Sequence, residues 1–168
     1  MQFFLKDSEK TKQFATIFAR YLRLGDVVLL KGSLGAGKTA CARAIIHALS
    51  NHKPDVISPT FTIMQSYDVT LENNNITCWH IDLYRLESPE ELLEIGIDEI
   101  LLSGLLLIEW PERLADSLPL DYILCELTYS PENEGRLAKL TFEGATCARA
   151  AACSKALSAM KYSATAVL

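Results

Sequence analysis

The chain has 168 residues and a formal net charge of −5, and it is 49% hydrophobic, 22% charged and 8% aromatic. One domain takes about 100–200 residues, so these values describe a single globular unit with a sizeable core. They exclude a disordered, collagen-like or long coiled-coil chain, and the acidic balance argues against a basic surface that wraps nucleic acid.

The five cysteines, at positions 41, 78, 125, 147 and 153, form no C-x-x-C pair. Wide gaps and an odd count favour reduced thiols over a disulfide framework or a zinc knuckle. The start, Met1-Gln2-Phe3-Phe4-Leu5-Lys6-Asp7, is too short and too soon charged for a secretory signal. No apolar stretch approaches the ~18 residues that span a bilayer. These features point to a soluble cytoplasmic protein with no membrane association.

In chain order, Asp7 or Ser8 caps a first helix whose apolar face is Phe14, Ile17, Phe18, Tyr21 and Leu22, with Gly25 as its stop. Val27-Val28-Leu29-Leu30 reads as a strand buried on both faces. The segment from Ala40 to Leu49 reads as a helix. Beyond Ser58-Pro59-Thr60, the alternation of Phe61, Ile63, Tyr67 and Val69 predicts a strand. Asn73-Asn74-Asn75 marks a turn, and Ile76 to Tyr84 returns as the second strand of a hairpin.

Ser88-Pro89-Glu90-Glu91 carries a capping box and starts a helical region that runs to Gly104, with a break at Gly96. Leu105-Leu106-Leu107-Ile108 is a further buried strand, ended by Glu109-Trp110-Pro111. Ile123–Tyr129 and Leu137–Phe142 form a second hairpin around residues 131–135. Residues 1–144 are then one domain. Residues 145–168 form an Ala-rich helical tail with nine alanines, three basic residues and no acid, so the rest of the chain carries −8. A packed or frayed helix accounts for that tail better than a basic contact surface does.

The segment from Gly32 to Thr39, Gly-Ser-Leu-Gly-Ala-Gly-Lys-Thr, is a G-x-x-x-x-G-K-T phosphate loop between a buried strand and a helix. Its glycines let backbone N–H groups turn toward phosphate oxygens, and the helix start adds a positive dipole end. The nucleotide-binding set is Ser33, Leu34, Gly35, Ala36, Gly37, Lys38, Thr39 and Ala40. Lys38 faces the β- and γ-phosphates, and Thr39 offers a hydroxyl to Mg²⁺. The expected fold is α/β: a P-loop NTPase three-layer αβα sandwich with a mixed, mostly parallel sheet and antiparallel hairpin strands.

Topology extends the site. The start of a hairpin's first strand lies beside the end of its second, which pairs Thr60 with Asp82. If that second strand and the strand ending at Glu109 both run parallel to Val27–Leu30, all three ends share the rim where open α/β sheets bind ligands. Lys38, Thr39, Thr60, Asp82 and Glu109 then surround one phosphate group. The pattern leaves open which acid, Asp82 or Glu109, touches the metal. His80, two residues from Asp82 on the same strand face, reads as a structural or supporting residue rather than a base.

Four motifs now stand in order: the phosphate loop, Ser58-Pro59-Thr60-Phe61-Thr62, His80-Ile81-Asp82-Leu83-Tyr84-Arg85-Leu86, and Ile108-Glu109-Trp110-Pro111-Glu112-Arg113. Together they resemble the bacterial TsaE (YjeE) family over residues 5–143. Those are small ATPases required for the threonylcarbamoyl modification of adenosine 37 in tRNAs reading ANN codons. The resemblance implies ATP and Mg²⁺ as ligands, a metal or γ-phosphate contact for Thr60, a metal contact for Asp82, and a water-positioning role beside the metal for Glu109. It places Trp110 near the nucleotide and leaves the jobs of Tyr84 and Arg85 open. It also implies association with a TsaD-like transferase and a TsaB-like partner, with tRNA met through that complex. Ser33, where the family often has an acid, and Ala40, where a hydroxyl or small residue is usual, are small departures that leave the cradle intact.

Three other readings share the phosphate loop. A small-molecule or nucleotide kinase usually closes an Arg-rich lid, and the seven arginines here are scattered. A regulatory GTPase would need N-K-x-D and D-x-x-G, neither of which occurs in place. A nucleotide-dependent binding module without significant hydrolysis is the third alternative to a slow ATPase, since no arginine finger within the chain is assured.

Overall fold

The structure, a computed structural model, describes residues 1–86, 100, 104–114, 119–131 and 134–160. Its strands are β1 (Gln2–Leu5), β2 (Val27–Lys31), β3 (Met64–Leu71), β4 (Asn74–Asp82), β5 (Gly104–Glu109), β6 (Tyr122–Tyr129) and β7 (Arg136–Glu143). Its α-helices are α1 (Ser8–Ala19), α2 (Lys38–Leu49) and α3 (Ala150–Ala159). Short 3-10 turns cover Pro111–Leu114 and Gly144–Arg149.

All seven strands form one sheet in the order β1-β7-β6-β2-β5-β4-β3. β2 pairs in parallel with β5 and β6, and β4 pairs in parallel with β5. β3 and β7 run against their neighbours. Five strands therefore share one direction, and the two reversed ones are hairpin partners, as the sequence predicts.

Side-chain alternation divides the core. Val28, Leu30, Leu105, Leu107 and Cys78 point to the face covered by Phe14, Phe18, Ile45 and Ile46 of α1 and α2. Val27, Leu29, Leu106, Ile108 and Ile81 point to the opposite face, against Leu83, Leu86 and Ile100. Burying such a side chain stabilises the fold by about 1.5–3 kcal/mol, so the central strands anchor both faces. The helix expected from Ser88 to Gly104 lies largely outside the described residues.

Several boundaries differ from the sequence reading. Asp7 does cap α1, its side chain accepting from Lys10 N at 2.8 Å. The helix ends at Ala19 rather than near Gly25, where the last turn tightens, Arg20 N–H donating to Ile17 O and Tyr21 N–H to Phe18 O. Gly25, at φ 81°, instead turns the chain into β2. β3 begins at Met64, and Phe61 is exposed in the preceding loop rather than on a strand face. The hairpin turn is Glu72-Asn73, both in the left-handed region, at φ 50° and 67°. Two such residues match the twist of the paired strands, so Asn74 and Asn75 belong to β4. β4 itself ends at Asp82, two residues earlier than expected. No element was expected before Asp7. Yet β1 adds an edge strand on β7, burying Phe3 and Leu5 on alternate positions.

At the other end, Cys153, Leu157 and Met160 of the Ala-rich segment sit in the same core as α1. Arg149 donates two hydrogen bonds to Asp26, at 2.6 and 2.7 Å, and a third to Tyr21 O. This ties the segment to the turn before β2. Residues 161–168 lie outside the described residues. All five cysteines are free thiols. Among the described residues, no helix is long and apolar enough to cross a membrane.

Candidate functional site

The site is built where β2, β4 and β5 end together. Their register sets Glu109 beside Leu30 on one side and Asp82 on the other. The parallel pairing that the sequence could only assume is thus present, and both acids lie at the rim where β2 enters the phosphate loop. Each is 2% exposed.

The loop from Gly32 to Gly37 is shaped by backbone that only glycine adopts cheaply. Gly37, at φ 102°, stands immediately before α2 and leaves the first N–H groups of the helix uncapped by any side chain. A Cβ on Gly37 would meet nothing within 4 Å, so its constraint is conformation and not crowding. Gly32 is different, because a Cβ there would collide with the Leu127 carbonyl. Ser33, Leu34, Gly35 and Ala40 are exposed along the loop, whereas Ala36 is buried beneath it.

Lys38 is 5% exposed. Its ammonium donates to Gly32 O at 2.8 Å and Ser33 O at 3.0 Å, and lies 3.7 Å from the Trp110 ring centroid. Burial pushes its pKa below the ordinary 10.5, against the pull of Glu109, Glu112 and Asp82, which acts to raise it. Trp110 holds its ring there from a left-handed backbone (φ 60°), and the Tyr84 ring packs on it at 5.0 Å.

Thr39 Oγ1 donates to Glu109 Oε2 at 3.1 Å. The other Glu109 oxygen meets His80 Nε2 at 2.8 Å. Thr60 Oγ1 donates to Asp82 Oδ2 at 2.5 Å, and Asp82 Oδ1 accepts from Tyr84 N at 2.9 Å. Every sequence-predicted site residue therefore stands at one end of the sheet, in two linked groups: Lys38, Thr39, Glu109 and Trp110, then Thr60 and Asp82. Arg85 is not paired with Asp82 but lies over the Phe61 ring at 5.0 Å.

A hydroxyl and two carboxylates are hard oxygen donors, the type that suits Mg²⁺. Among the described residues, no group of three or more His, Cys, Asp or Glu is arranged to hold a metal ion.

A family model described as threonylcarbamoyl adenosine biosynthesis protein TsaE matches residues 5–138. The chain belongs to the TsaE family. Among proteins named tRNA threonylcarbamoyladenosine biosynthesis protein TsaE, that of Rickettsia felis is 42% identical over 130 residues, covering 77% of this chain and 74% of its own. That of Rickettsia bellii is 41% identical over 142 residues, covering 84% and 95%. The crystal structure of Bacillus subtilis YdiB superposes with a TM-score of 0.73 at 25% identity, covering 96% of this chain and 95% of that one. The fold is that of a P-loop nucleotide-binding protein of the TsaE type.

Two residues at the loop's outer side escaped the sequence reading. Tyr129 and Arg136 are opposed in the β6–β7 register. Tyr129 OH donates to Leu34 O at 3.2 Å, and Arg136 donates to Gly35 O at 3.2 Å while stacking on the Tyr129 ring at 4.1 Å. They brace the TsaE phosphate loop from strands more than ninety residues away. Only the strand register could have announced them.

Proposed function

We propose that this TsaE-family chain is a Mg²⁺-dependent ATPase of tRNA threonylcarbamoyladenosine synthesis, slow alone and faster with a TsaD-like transferase and a TsaB-like partner. The observation that carries this reading is the buried Asp82–Glu109 pair, facing one another across β4 and β5 beside Lys38 and Thr39. Two buried acids beside a lysine and a threonine hydroxyl suit a triphosphate with its metal far better than they suit a core.

In this reading, loop amides from Ser33 to Ala40 hold the phosphates. Lys38 gives up its contacts with Gly32 O and Ser33 O to meet the β- and γ-oxygens. Thr39 and Asp82 hold the metal, whose charge, when bound, offsets that of the phosphates. Glu109 borders the metal and orients the attacking water. Thr60 fixes Asp82 and reaches the γ-phosphate. Trp110 stays against Lys38 and covers the nucleotide. Water attacks the γ-phosphorus, the bond to the β–γ bridging oxygen breaks, and ADP and inorganic phosphate leave, with one proton of the water kept on the phosphate and the other released to solvent.

Slow turnover by the chain alone is supported by two of the three candidate arginines, Arg43, Arg85 and Arg113, the first two being engaged elsewhere. Arg43 donates to Val56 O at 2.8 Å, and Arg85 rests on Phe61. An arginine finger raises such rates by about 10³–10⁵, and a partner is the natural source. The protein works in the cytoplasm, and tRNA is met through the partner complex.

The test is a titration with Mg²⁺-ATP, followed by Trp110 emission with Trp110→Phe as control, together with turnover measured alone and with the two partner proteins. We expect binding in both cases and faster turnover in the complex. Glu109→Ala should keep ATP affinity and lose turnover by about 10²-fold or more. Turnover that partners leave unchanged would refute the partnership, and a fully active Glu109→Ala would return that acid to a structural part. Binding without hydrolysis under any condition would favour a nucleotide-dependent binding module, and a phosphorylated small acceptor would favour a kinase.

A further inference from the structure

His80 is fully buried on β4. Its Nε2 meets Glu109 Oε1 at 2.8 Å, while its Nδ1 is buried and, among the described residues, has no hydrogen-bond partner. Leaving a buried polar atom unsatisfied is destabilising. A histidine kept only for packing would be replaced without loss by an apolar side chain of similar volume. The side chain therefore earns its place through Nε2.

The chemistry of that contact sets the proton. A carboxylate only accepts, so Nε2 carries the hydrogen and donates it. In the neutral ring, Nδ1 then holds a lone pair instead of a buried N–H. Glu109 is thereby gripped from two sides, with Oε1 on His80 of β4 and Oε2 on Thr39 of α2. The Thr39 contact is the one that nucleotide and metal must disturb if Thr39 binds the metal. The His80 contact does not depend on the phosphate loop.

We propose that His80 is a positioning residue for Glu109. It fixes the rotation of the carboxylate so that Oε2 stays aimed at Thr39 and the reacting phosphate when the Thr39 hydroxyl turns to the metal. This rests on the assignment of Glu109 made under Proposed function. It makes His80 part of the hydrolytic apparatus without touching substrate.

The test compares His80→Leu, which removes the donor, with His80→Gln, whose amide reaches the position of Nε2. We expect His80→Leu to unfold at a lower temperature than the parent, because Glu109 Oε1 loses its donor, yet to be folded under assay conditions, to bind nucleotide within about threefold of the parent, and to lose turnover per folded molecule by at least about tenfold. His80→Gln should recover most of the loss. Adding His80→Leu to Glu109→Gln should cost nothing further, because both act through one carboxylate.

Nitrogen NMR of the protein without nucleotide reads the contact independently of hydrolysis. The parent should show the Nε2–H form of His80, with that signal moved by Glu109→Gln. A proton on Nδ1, or a His80 signal indifferent to Glu109→Gln, would overturn the proposal. So would full turnover in His80→Leu, or a loss that follows the loss of folded protein and is not recovered by glutamine. If Glu109→Gln hydrolyses ATP at the parent rate, the reading of Glu109 itself fails. If Glu109→Gln is inactive while His80→Leu is fully active, only the role given to His80 falls.

Discussion

Thr60 Oγ1 sits 2.5 Å from Asp82 Oδ2 across 22 residues of chain, and Ser58 Oγ lies 2.8 Å from the same hydroxyl. The contact closes the hairpin end over the acid. Thr60→Val keeps the shape and removes the donor, leaving Oδ2 of a 2%-exposed carboxylate without that partner. Urea unfolding should show a loss of about 1–3 kcal/mol, largely restored by Thr60→Ser. A neutral Thr60→Val would mean that the contact is incidental.

Lys38 should give two opposite pH dependences. Burial sets its folded pKa below 10.5, so the unfolded chain binds more protons between the folded and unfolded values. The cost of burying the charge is fully present below the folded pKa, and stability rises with pH through that window. Nucleotide affinity should fall over the same range, as the ammonium that meets the phosphates is lost. Lys38→Met should abolish both slopes, as measured by denaturation and by nucleotide titration from neutral pH upward. Nucleotide at 100 times its Kd should stabilise the parent by about 2.7 kcal/mol and leave Lys38→Met unmoved.

The Ala-rich segment is fastened by particular atoms. Leu157 is fully buried, and Arg149, a fifth exposed, holds Asp26 with two hydrogen bonds. Leu157→Ala should cost about 2–5 kcal/mol through the cavity it leaves. Arg149→Ala strands a buried carboxylate and should cost about 2–3 kcal/mol, less than a fully buried pair because solvent reaches the guanidinium. Thermal unfolding checks both, and an unchanged Tm in either variant would show that the segment contributes nothing to the folded domain.

Thiol chemistry should separate one cysteine from four. Cys147 is exposed, whereas Cys41, Cys78, Cys125 and Cys153 are buried. Burial pushes the Cys153 thiol up to about 12, with Arg149 acting against it, and raises that of Cys78 as well. Cys125 is raised first by its hydrogen bond with Cys41 and then by burial. An aromatic disulfide reagent should titrate one thiol quickly in the folded protein and five after unfolding. Two fast thiols in the folded state would contradict this packing.

The sequence by itself determined the phosphate loop, the acids that could serve it and the strands that carry them. Those signals are local: Gly37 needs its own backbone freedom, and Leu105 to Ile108 needs only burial on both faces. It also brought the two ends of the hairpin together, but the register sets Asp82 against Ile63, and Thr60 reaches the acid from the loop before β3. What only the tertiary structure decided is the order and register of strands far apart in the chain. The parallel pairing of β4 with β5 and of β5 with β2 put Asp82, Glu109 and Leu30 in one row. The β6–β7 register put Tyr129 and Arg136 under the loop. Such neighbours are chosen by how whole faces bury one another, and a residue's own neighbours in sequence carry no record of that choice. His80 shows the boundary most plainly: its place two residues before Asp82 was legible, but the Glu109 oxygen it holds was not.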